Sequence, residues 1–261
     1  MIKQRAVRQR VSFALLLGSA LLFPITMNYL SPYVIIDASS QGMVNGSLIA
    51  FGVMFLTALL FGRLWCAWAC PAGGFSEISF AINNRPANGA RLDRVKWMIW
   101  GVWLVAIAAF AIAAGGYHAV NPLFDTQNGI SVAGDVDRPI FIAYIIYYGV
   151  IAIFLSFSII AGRRAGCHTV CWMAPFMILG RKIRNRFNWP ALQLKAVPAQ
   201  CKDCQTCTTN CPMSLDVHTM VKSGRMENSE CILCGSCIDG CNKKAIRYSF
   251  SRIPQSPPGG A

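Results

Sequence analysis

Eight cysteines near the C-terminus fall into two copies of one spacing, C-x2-C-x2-C-x3-C. They are Cys201, Cys204, Cys207 and Cys211, followed by Cys231, Cys234, Cys237 and Cys241. Gaps of two residues let three thiolates converge on one iron–sulfur core, while the fourth lies about a helical turn further on. This run holds 4Fe–4S clusters, and the fourth cysteine of each copy ligates the other cluster. The spacing therefore predicts two clusters and a role in electron transfer.

The exchange of the fourth cysteine predicts two ligand sets. One cluster takes Cys201, Cys204, Cys207 and Cys241, and the other takes Cys231, Cys234, Cys237 and Cys211. Zinc sites also use C-x2-C pairs, but a zinc site does not require four cysteines in the spacing C-x2-C-x2-C-x3-C, present here in two copies. A disulfide framework would need an oxidising compartment, which a cytoplasmic location does not provide. Pro212 is typical of the cluster motif, whereas Asn242 stands where a second proline is expected.

Four further cysteines form two C-x3-C pairs. Cys66 and Cys70 lie in W-C-A-W-A-C-P, and Cys167 and Cys171 lie in G-C-H-T-V-C-W. A gap of three residues places two thiols on the same side of a helical turn. The four thiols could bind a third cluster or a transition metal, such as the copper that soft thiolates select, or form a reversible dithiol. Packing as small apolar side chains is the alternative.

The composition predicts a membrane protein. The chain has 261 residues, of which 54% are hydrophobic and only 13% charged, and its mean hydropathy is positive. Four apolar stretches approach or reach the length of about 20 residues that a membrane-spanning helix needs. They cover about residues 11–30, 47–64, 97–115 and 139–161. The basic arm before the first stretch suggests a signal peptide, but no small-residue cleavage site follows, so an uncleaved helix is predicted.

The distribution of basic residues predicts the orientation of these helices. Cations precede the first stretch, follow the second and follow the fourth, whereas the other two loops are nearly free of them. Because basic loops stay in the cytoplasm, both termini and the cluster domain should be cytoplasmic. Anionic lipid accounts for the net charge of +13, and no base-reading motif predicts nucleic acid as a partner. The cations concerned are Lys3, Arg5, Arg8, Arg10, Arg85, Arg91, Arg94, Lys96, Arg163 and Arg164.

These elements define the predicted fold class and its parts. The fold is mainly α: a polytopic four-helix transmembrane domain over residues 1–180, with the two C-x3-C pairs beside the membrane, joined to a small α+β two-cluster domain. A basic connector covers residues 181–194, the cluster domain covers 195–250, and a tail over 251–261 is predicted to be disordered because it is rich in proline and glycine.

Titratable residues outside the cysteine motifs are also candidates. His118 follows a Gly-Gly-Tyr sequence at the predicted outer end of the third span, where a group titrating near neutral pH could accept protons from a quinol. His168 lies inside the second C-x3-C pair, and we expect it to form interfacial hydrogen bonds or to ligate a metal. His218 is predicted to be a surface residue. Outer-loop acids that could also take protons are Asp37, Asp125 and Asp135.

These motifs, in this order, resemble those of the membrane-bound ferredoxin-type quinol dehydrogenase subunits that accompany periplasmic nitrate reductase. They are also similar to the membrane part of the nitrous-oxide reductase regulator and to the ferredoxin-type protein of methylamine utilisation. The resemblance extends to S-P-Y from Ser31 and to F-G-R-L-W-C-A-W-A-C-P-A-G-G from Phe61. The second pair of that family ends in Cys-Pro, whereas Cys171 is followed by Trp172.

The resemblance implies a multi-pass protein of a bacterial or archaeal cytoplasmic membrane. Its function would be that of a quinol-oxidising subunit that passes electrons between the quinone pool and a partner redox protein. The partner would be a membrane or periplasmic cytochrome or iron–sulfur subunit, because the chain has no C-x-x-C-H haem motif and no G-x-G-x-x-G nucleotide motif. The alternatives are a maturation or regulatory factor that reduces copper or a disulfide for another enzyme, and a membrane anchor with purely structural clusters.

Overall fold

A computed structural model describes residues 6–131 and 140–252. Among the predicted features, Lys3, Arg5, Asp135 and residues 253–261 of the tail lie outside the described residues. The backbone forms thirteen α-helices and four strands in these ranges, so the prediction of a mainly α fold is confirmed.

The first predicted span is divided into three helical pieces. Helix α1 covers Val7–Leu21, the four-residue helix α2 covers Phe23–Thr26, and a 3-10 turn covers Asn28–Leu30. The break has a local cause, because Pro24 lies in the first turn of α2 and has no N–H to continue the hydrogen bonding of α1. Helix α3 follows at Pro32–Ser40, where the Ser31 side chain accepts a hydrogen bond from the Val34 N–H and caps it.

Two helices in the described ranges are long and apolar enough to cross a bilayer. They are α7 (Gly89–Ala113) and α8 (Ile140–Ala161), and their apolar side chains point outward. Helix α4 (Gly46–Phe61) is equally apolar but has only 16 residues. The predicted four-span arrangement is thus not confirmed, because α1 ends early and α4 is short.

Each C-x3-C pair lies in a short helix that is followed by a second helix. The first unit consists of α5 (Leu64–Trp68) and α6 (Pro71–Ser79), and the second consists of α9 (Ala165–Thr169) and α10 (Ala174–Arg186). Proline in the first turn of α6 and of α10 favours a fresh helix start after the cysteines. The two units follow α4 and α8, so they bring both cysteine pairs to the same end of these helices.

Glycine lets α6 pack directly against α1. A Cβ atom at Gly74 would lie 2.5 Å from the carbonyl oxygen of Leu16, which is closer than non-bonded atoms approach. The serine side chains of α1 then reach the turn between the two cysteines, because Ser12 Oγ donates to Ala67 O at 2.8 Å and Ser19 Oγ donates to Ala69 O at 2.6 Å. These contacts fix the position of the first pair.

The first and last strands of the cysteine-rich part pair with each other. Strand β3 (Ala191–Ala196) pairs antiparallel with β4 (Ile246–Ser251), with Ala191 opposite Ser251. Between them lie α11 (Thr206–Thr209), α12 (Val217–Lys222) and α13 (Ser236–Asp239). The backbone conformation is the same in both copies of the cysteine motif, since α11 and α13 each begin just after the second cysteine of their copy. Positive φ angles recur at matching positions, which are Asp203 and Leu233, Gln205 and Gly235, and Ser214 and Lys244.

The segment predicted as a basic connector is partly helical. Helix α10 continues to Arg186, and strand β3 starts at Ala191. Arg181 and Arg184 are buried instead of facing solvent. A further pair of short strands, β1 (Met43–Asn45) and β2 (Ala119–Asn121), runs parallel at the end of α7 that is remote from the cysteines.

Candidate functional site

Two cavities in the C-terminal part are each lined by four cysteines. The first has a volume of about 180 Å³, and its cysteines are Cys201, Cys204, Cys207 and Cys241. The second is smaller and more apolar, and its cysteines are Cys211, Cys231, Cys234 and Cys237. In each cavity three cysteines come from one copy of the motif and the fourth from the other. The fold therefore brings together the same two sets of four that the spacing predicts.

The chemistry of these cavities fits iron–sulfur clusters. Four thiolates around one cavity form the donor set of a 4Fe–4S cluster. Burial raises the pKa of Cys211 to about 12, with the charge of Cys234 adding to the effect, and burial likewise raises the pKa of Cys237. A buried thiolate needs a compensating cation, which bound iron supplies. Cys204 is exposed, and hydrogen bonds from Thr206 lower its pKa.

The other four cysteines are also brought together, inside the helical part. Cys66, Cys70, Cys167 and Cys171 are 3–5% exposed and belong to one buried cluster of side chains. Burial raises the pKa of Cys70, and the charges of Cys66, Cys171 and Cys167 raise it further. The thioether of Met177 lies 4.0 Å from the Cys66 sulfur. The result is a buried group of five sulfur side chains.

Two buried arginines accompany these pairs and were not singled out as site residues in the sequence. Arg63 and Arg164 each stand three residues before the first cysteine of a pair, so the full pattern is R-x2-C-x3-C in both units. Both side chains are almost completely buried. The Arg164 guanidinium donates to the Cys66 carbonyl oxygen at 2.8 Å and pairs with Glu77 at 2.8 Å. The matching spacing was the signal that could have identified them.

Arg63 begins a chain of buried ionic contacts between the helices and the cluster domain. Its Nη1 lies 2.6 Å from Glu230 Oε2, which also accepts from Lys96 Nζ at 2.7 Å. Lys96 further contacts Asp93 at 2.8 Å, and Asp93 accepts from His168 Nδ1 at the same distance. Asp93, His168 and Glu230 are close enough to form a metal site, but the Lys96 ammonium group already contacts both carboxylates. The predicted hydrogen-bonding role of His168 agrees with this geometry.

Burial disfavours the charge on Arg63, but Glu230 and the thiols of Cys66 and Cys171 outweigh that effect, and the pKa of Arg63 is raised. Arg164 behaves in the same way, and its pKa is raised by Glu77 and Cys167. Both guanidinium groups therefore stay charged beside the thiols. Burial raises the pKa of Cys167 and of Cys171, and the nearby guanidinium groups oppose this rise without reversing it.

Further polar contacts attach the cluster domain to the helices. Arg181 makes two hydrogen bonds to Glu227, at 2.6 and 2.8 Å, and also donates to the Cys231 carbonyl oxygen at 2.7 Å. At the start of α1, Arg8 pairs with Asp239, and the Gln9 amide donates to the Cys234 carbonyl oxygen at 3.0 Å. Arg181 is almost completely buried, and a buried ionic contact costs much to break by removal of one partner, so its contacts hold the two parts together; Arg8 and Asp239 are partly exposed.

The remaining predicted residues lie apart from the cysteines. His118 is exposed beside β2, and its backbone N–H donates to Gly42 O at 2.9 Å. From Lys96 to Ala113 helix α7 rises about 26 Å at 1.5 Å per residue, so His118 lies at the opposite end from the ionic contacts. Asp125 is buried near Asn28. His218 is half-buried and contacts the exposed Asp203 at 2.8 Å.

Comparison with known proteins gives matches in both cysteine regions. Residues 46–86 match a family model described as a 4Fe-4S binding domain, and residues 200–246 match a 4Fe-4S dicluster domain. No solved structure matches significantly. The two family matches support iron–sulfur clusters as the cofactors.

Whole-chain relatives include the ferredoxin-type protein NapH of Haemophilus influenzae, which is 19% identical over 89% of this chain and 78% of its own. The nitrogen fixation protein FixG of Rhizobium meliloti is 25% identical over 76% of this chain, and the putative electron transport protein YccM of Escherichia coli is 23% identical over 74%. The matched region spans 41% of FixG and 52% of YccM. These similarities confirm the predicted resemblance to ferredoxin-type proteins.

Proposed function

We propose that this iron–sulfur protein transfers electrons at a membrane, between the quinone pool and a partner redox protein. The two cavities lined by four cysteines each carry the proposal. Clusters bound there would supply one-electron redox chemistry, with potentials set by hydrogen bonds, charge and exposure. A two-electron quinol can be oxidised by a protein that accepts its electrons singly at two sites.

The protein itself positions the two cavities against the helices. Arg8, Arg181 and Glu230 fix the cluster domain on the same side as the buried cysteine pairs. The exposed Cys204 leaves the first cavity near the surface, where a partner protein could approach it. The second cavity faces α1 through Gln9. We propose that electrons enter near the helices and leave near Cys204.

The apolar outer faces of α7 and α8 support a membrane location. We propose a bacterial or archaeal cytoplasmic membrane, with both termini and the cluster domain on the cytoplasmic side, because the basic residues lie at that end of the helices. Crossing by α1 and α4 as well would need the neighbouring helices or a thinner bilayer to cover their shorter length.

Purified full-length protein tests the proposal. We expect eight iron and eight acid-labile sulfide ions per chain, as two 4Fe–4S clusters require, and bleaching of the visible cluster absorption when a short-chain quinol is added anaerobically. A lack of acid-labile sulfide would contradict the cofactor assignment. Clusters that dithionite reduces but no quinol reduces at any pH would contradict the quinol assignment.

A second candidate function rests on the buried sulfur group. Five sulfur atoms, including the Met177 thioether 4.0 Å from Cys66, form a soft donor set that suits Cu(I). The protein would then reduce copper or a disulfide during maturation of another enzyme. Replacing Cys66 and Cys70 by Ala separates the two functions. Lost quinol oxidation with intact clusters supports electron transfer to a redox partner, whereas normal quinol oxidation with a metal-deficient partner supports the maturation role.

A further inference from the structure

A polar cavity of about 480 Å³ lies between the helices and the cluster domain. One wall is formed by the first turns of α1, which contribute Ser12 and Phe13, and by Glu77 at the end of α6. The opposite wall is formed by the loops of both cysteine motifs and includes Cys234. The cavity is thus the place where a small molecule can touch both the apolar helices and the wall of a cluster cavity.

The size and lining of this cavity fit a quinone ring. The volume lies within the range of about 300–1,000 Å³ that small-molecule sites have, and polar side chains form most of the lining. Phe13 and Phe80 offer aromatic faces, while the Asn84 amide and the Glu77 carboxylate offer hydrogen-bond partners for the two ring oxygens. Glu77 already pairs with the buried Arg164, so its carboxylate is held in place.

Exposed apolar side chains next to the cavity suit the hydrocarbon tail of a membrane quinone. Val7 and Val11 on α1 are 75% and 46% exposed, and Ile78 in α6 and Ile82, three residues after it, are 46% and 72% exposed. These residues belong to the two segments that line the cavity. With the quinone ring inside the cavity, its apolar tail would lie over these side chains, outside the cavity.

We infer that this cavity binds the ring of the quinol whose oxidation is proposed above, and the inference rests on that proposed function. Oxidation of one quinol breaks its two O–H bonds and yields the quinone, two protons and two electrons. The two cluster sites accept the electrons, one each, and the protons pass to water at the open side of the cavity. Glu77 positions the quinol by accepting a hydrogen bond from one hydroxyl group.

A second cavity in the helical part is a weaker candidate for this substrate. It has a volume of about 280 Å³ and lies beside Asn28, Ser31 and Asp125. Its lining, within the described residues, includes no cysteine, whereas Cys234 lines the first cavity directly. Electron transfer slows steeply with distance, so contact with a cluster ligand favours the first cavity.

A photoreactive azidoquinone with a short tail tests the location without requiring turnover. After illumination of the detergent-solubilised full chain, we expect mass spectrometry to find the label within residues 6–13, 77–84 or 209–212. The variant Asn84→Trp places a large side chain at an exposed edge of the cavity. It should lose the label and slow cluster reduction by the quinol at least about tenfold, with unchanged reduction by dithionite. Pro86→Trp adds the same ring two residues later, at an exposed position outside the lining, and should behave like the wild type.

The possible results separate this inference from the proposed function. Labelling of residues 27–34 or 143–146, or equal labelling of Asn84→Trp and Pro86→Trp, overturns the cavity assignment even if quinol reduces the wild-type clusters. Oxidised wild-type clusters in excess quinol overturn the proposed function even if the label lies in the cavity. Iron content equal to that of the wild type shows that each tryptophan variant has folded.

Discussion

Replacing Glu230 by Gln should loosen the cluster domain from the helices. The Glu230 carboxylate lies 2.6 Å from Arg63 and 2.7 Å from Lys96, and both cationic side chains are 0% exposed. Removal of one partner from a buried ion pair costs about 3–5 kcal/mol. Lys96 keeps its contact with Asp93 at 2.8 Å, so we expect the lower value. A loss of about 3 kcal/mol raises the population of the detached state on the order of a hundredfold.

Hydrogen–deuterium exchange measures this change in detergent-solubilised protein. Amides at residues 60–66 and 226–233 should exchange faster in Glu230→Gln, after iron analysis has shown that cluster content is intact. Asp203→Asn is the matched control, because Asp203 also precedes a cluster cysteine but its contacts with His218 and Lys222 are exposed. Equal exchange in the two variants at these amides would refute the idea that the buried ionic contacts hold the domain.

Three other perturbations test separate features of the structure. The double variant Cys211→Ser, Cys234→Ser should retain half of the wild-type iron, because both cysteines line one cavity; retention of none would show that the fourth cysteine is not exchanged. The pKa of Glu227 is lowered because its pairing with a buried arginine outweighs burial, so its stabilising contribution is complete above its unfolded pKa and is lost as the pH falls through its lower folded value. The protection factors of the amides at residues 226–233, which are corrected for the slower intrinsic exchange in acid, should therefore fall as the pH is lowered, and less so in Glu227→Gln. Gly235→Ala should destabilise the domain by about 1–3 kcal/mol, measured as a lower denaturant midpoint, because its Cβ would lie 2.7 Å from the Tyr248 hydroxyl; an unchanged midpoint would contradict this.

The cysteine spacing predicts the same two groups of four cysteines that line the two cavities, because a short, periodic motif encodes its own loop geometry. The structure brings Cys241 to the first cavity and Cys211 to the second, as the motif requires. Positive φ angles at matching positions show that the loops of the two copies have the same backbone conformation. Loop geometry that is encoded by such a local pattern can be predicted without knowledge of the rest of the chain.

The ionic contacts between distant parts could not be predicted in the same way. Glu230 lies 134 residues from Lys96 and 167 from Arg63, and nothing in their local sequence identifies them as partners. Arguments from net charge and from the distribution of basic residues among the loops assume that basic side chains face solvent or lipid. Arg63, Lys96 and Arg181 are buried instead. Their burial depends on how the cysteine units fold back against the cluster domain.

Helix ends were predicted less well than helix existence. The apolar stretch from Val11 to Leu30 predicts one helix, but Pro24 breaks it after α1, and a separate helix α3 capped by Ser31 follows it. Hydropathy averages over about 20 residues and is insensitive to a single backbone break. Hydropathy also does not predict α10, because its sequence contains four basic residues.

The pairing of β3 with β4 has a consequence for biosynthesis. The strand that opens the cluster domain finds its partner only in residues 246–251, and Cys241, which lines the first cavity, lies just before that partner. Before the ribosome adds residues 241–251, the chain already contains the helices described from Val7 to Arg186 and an open, cysteine-rich segment. Metal loading of the first cavity must therefore wait until Cys241 has been added, and a chain stalled or truncated before that point would expose thiols to oxidation.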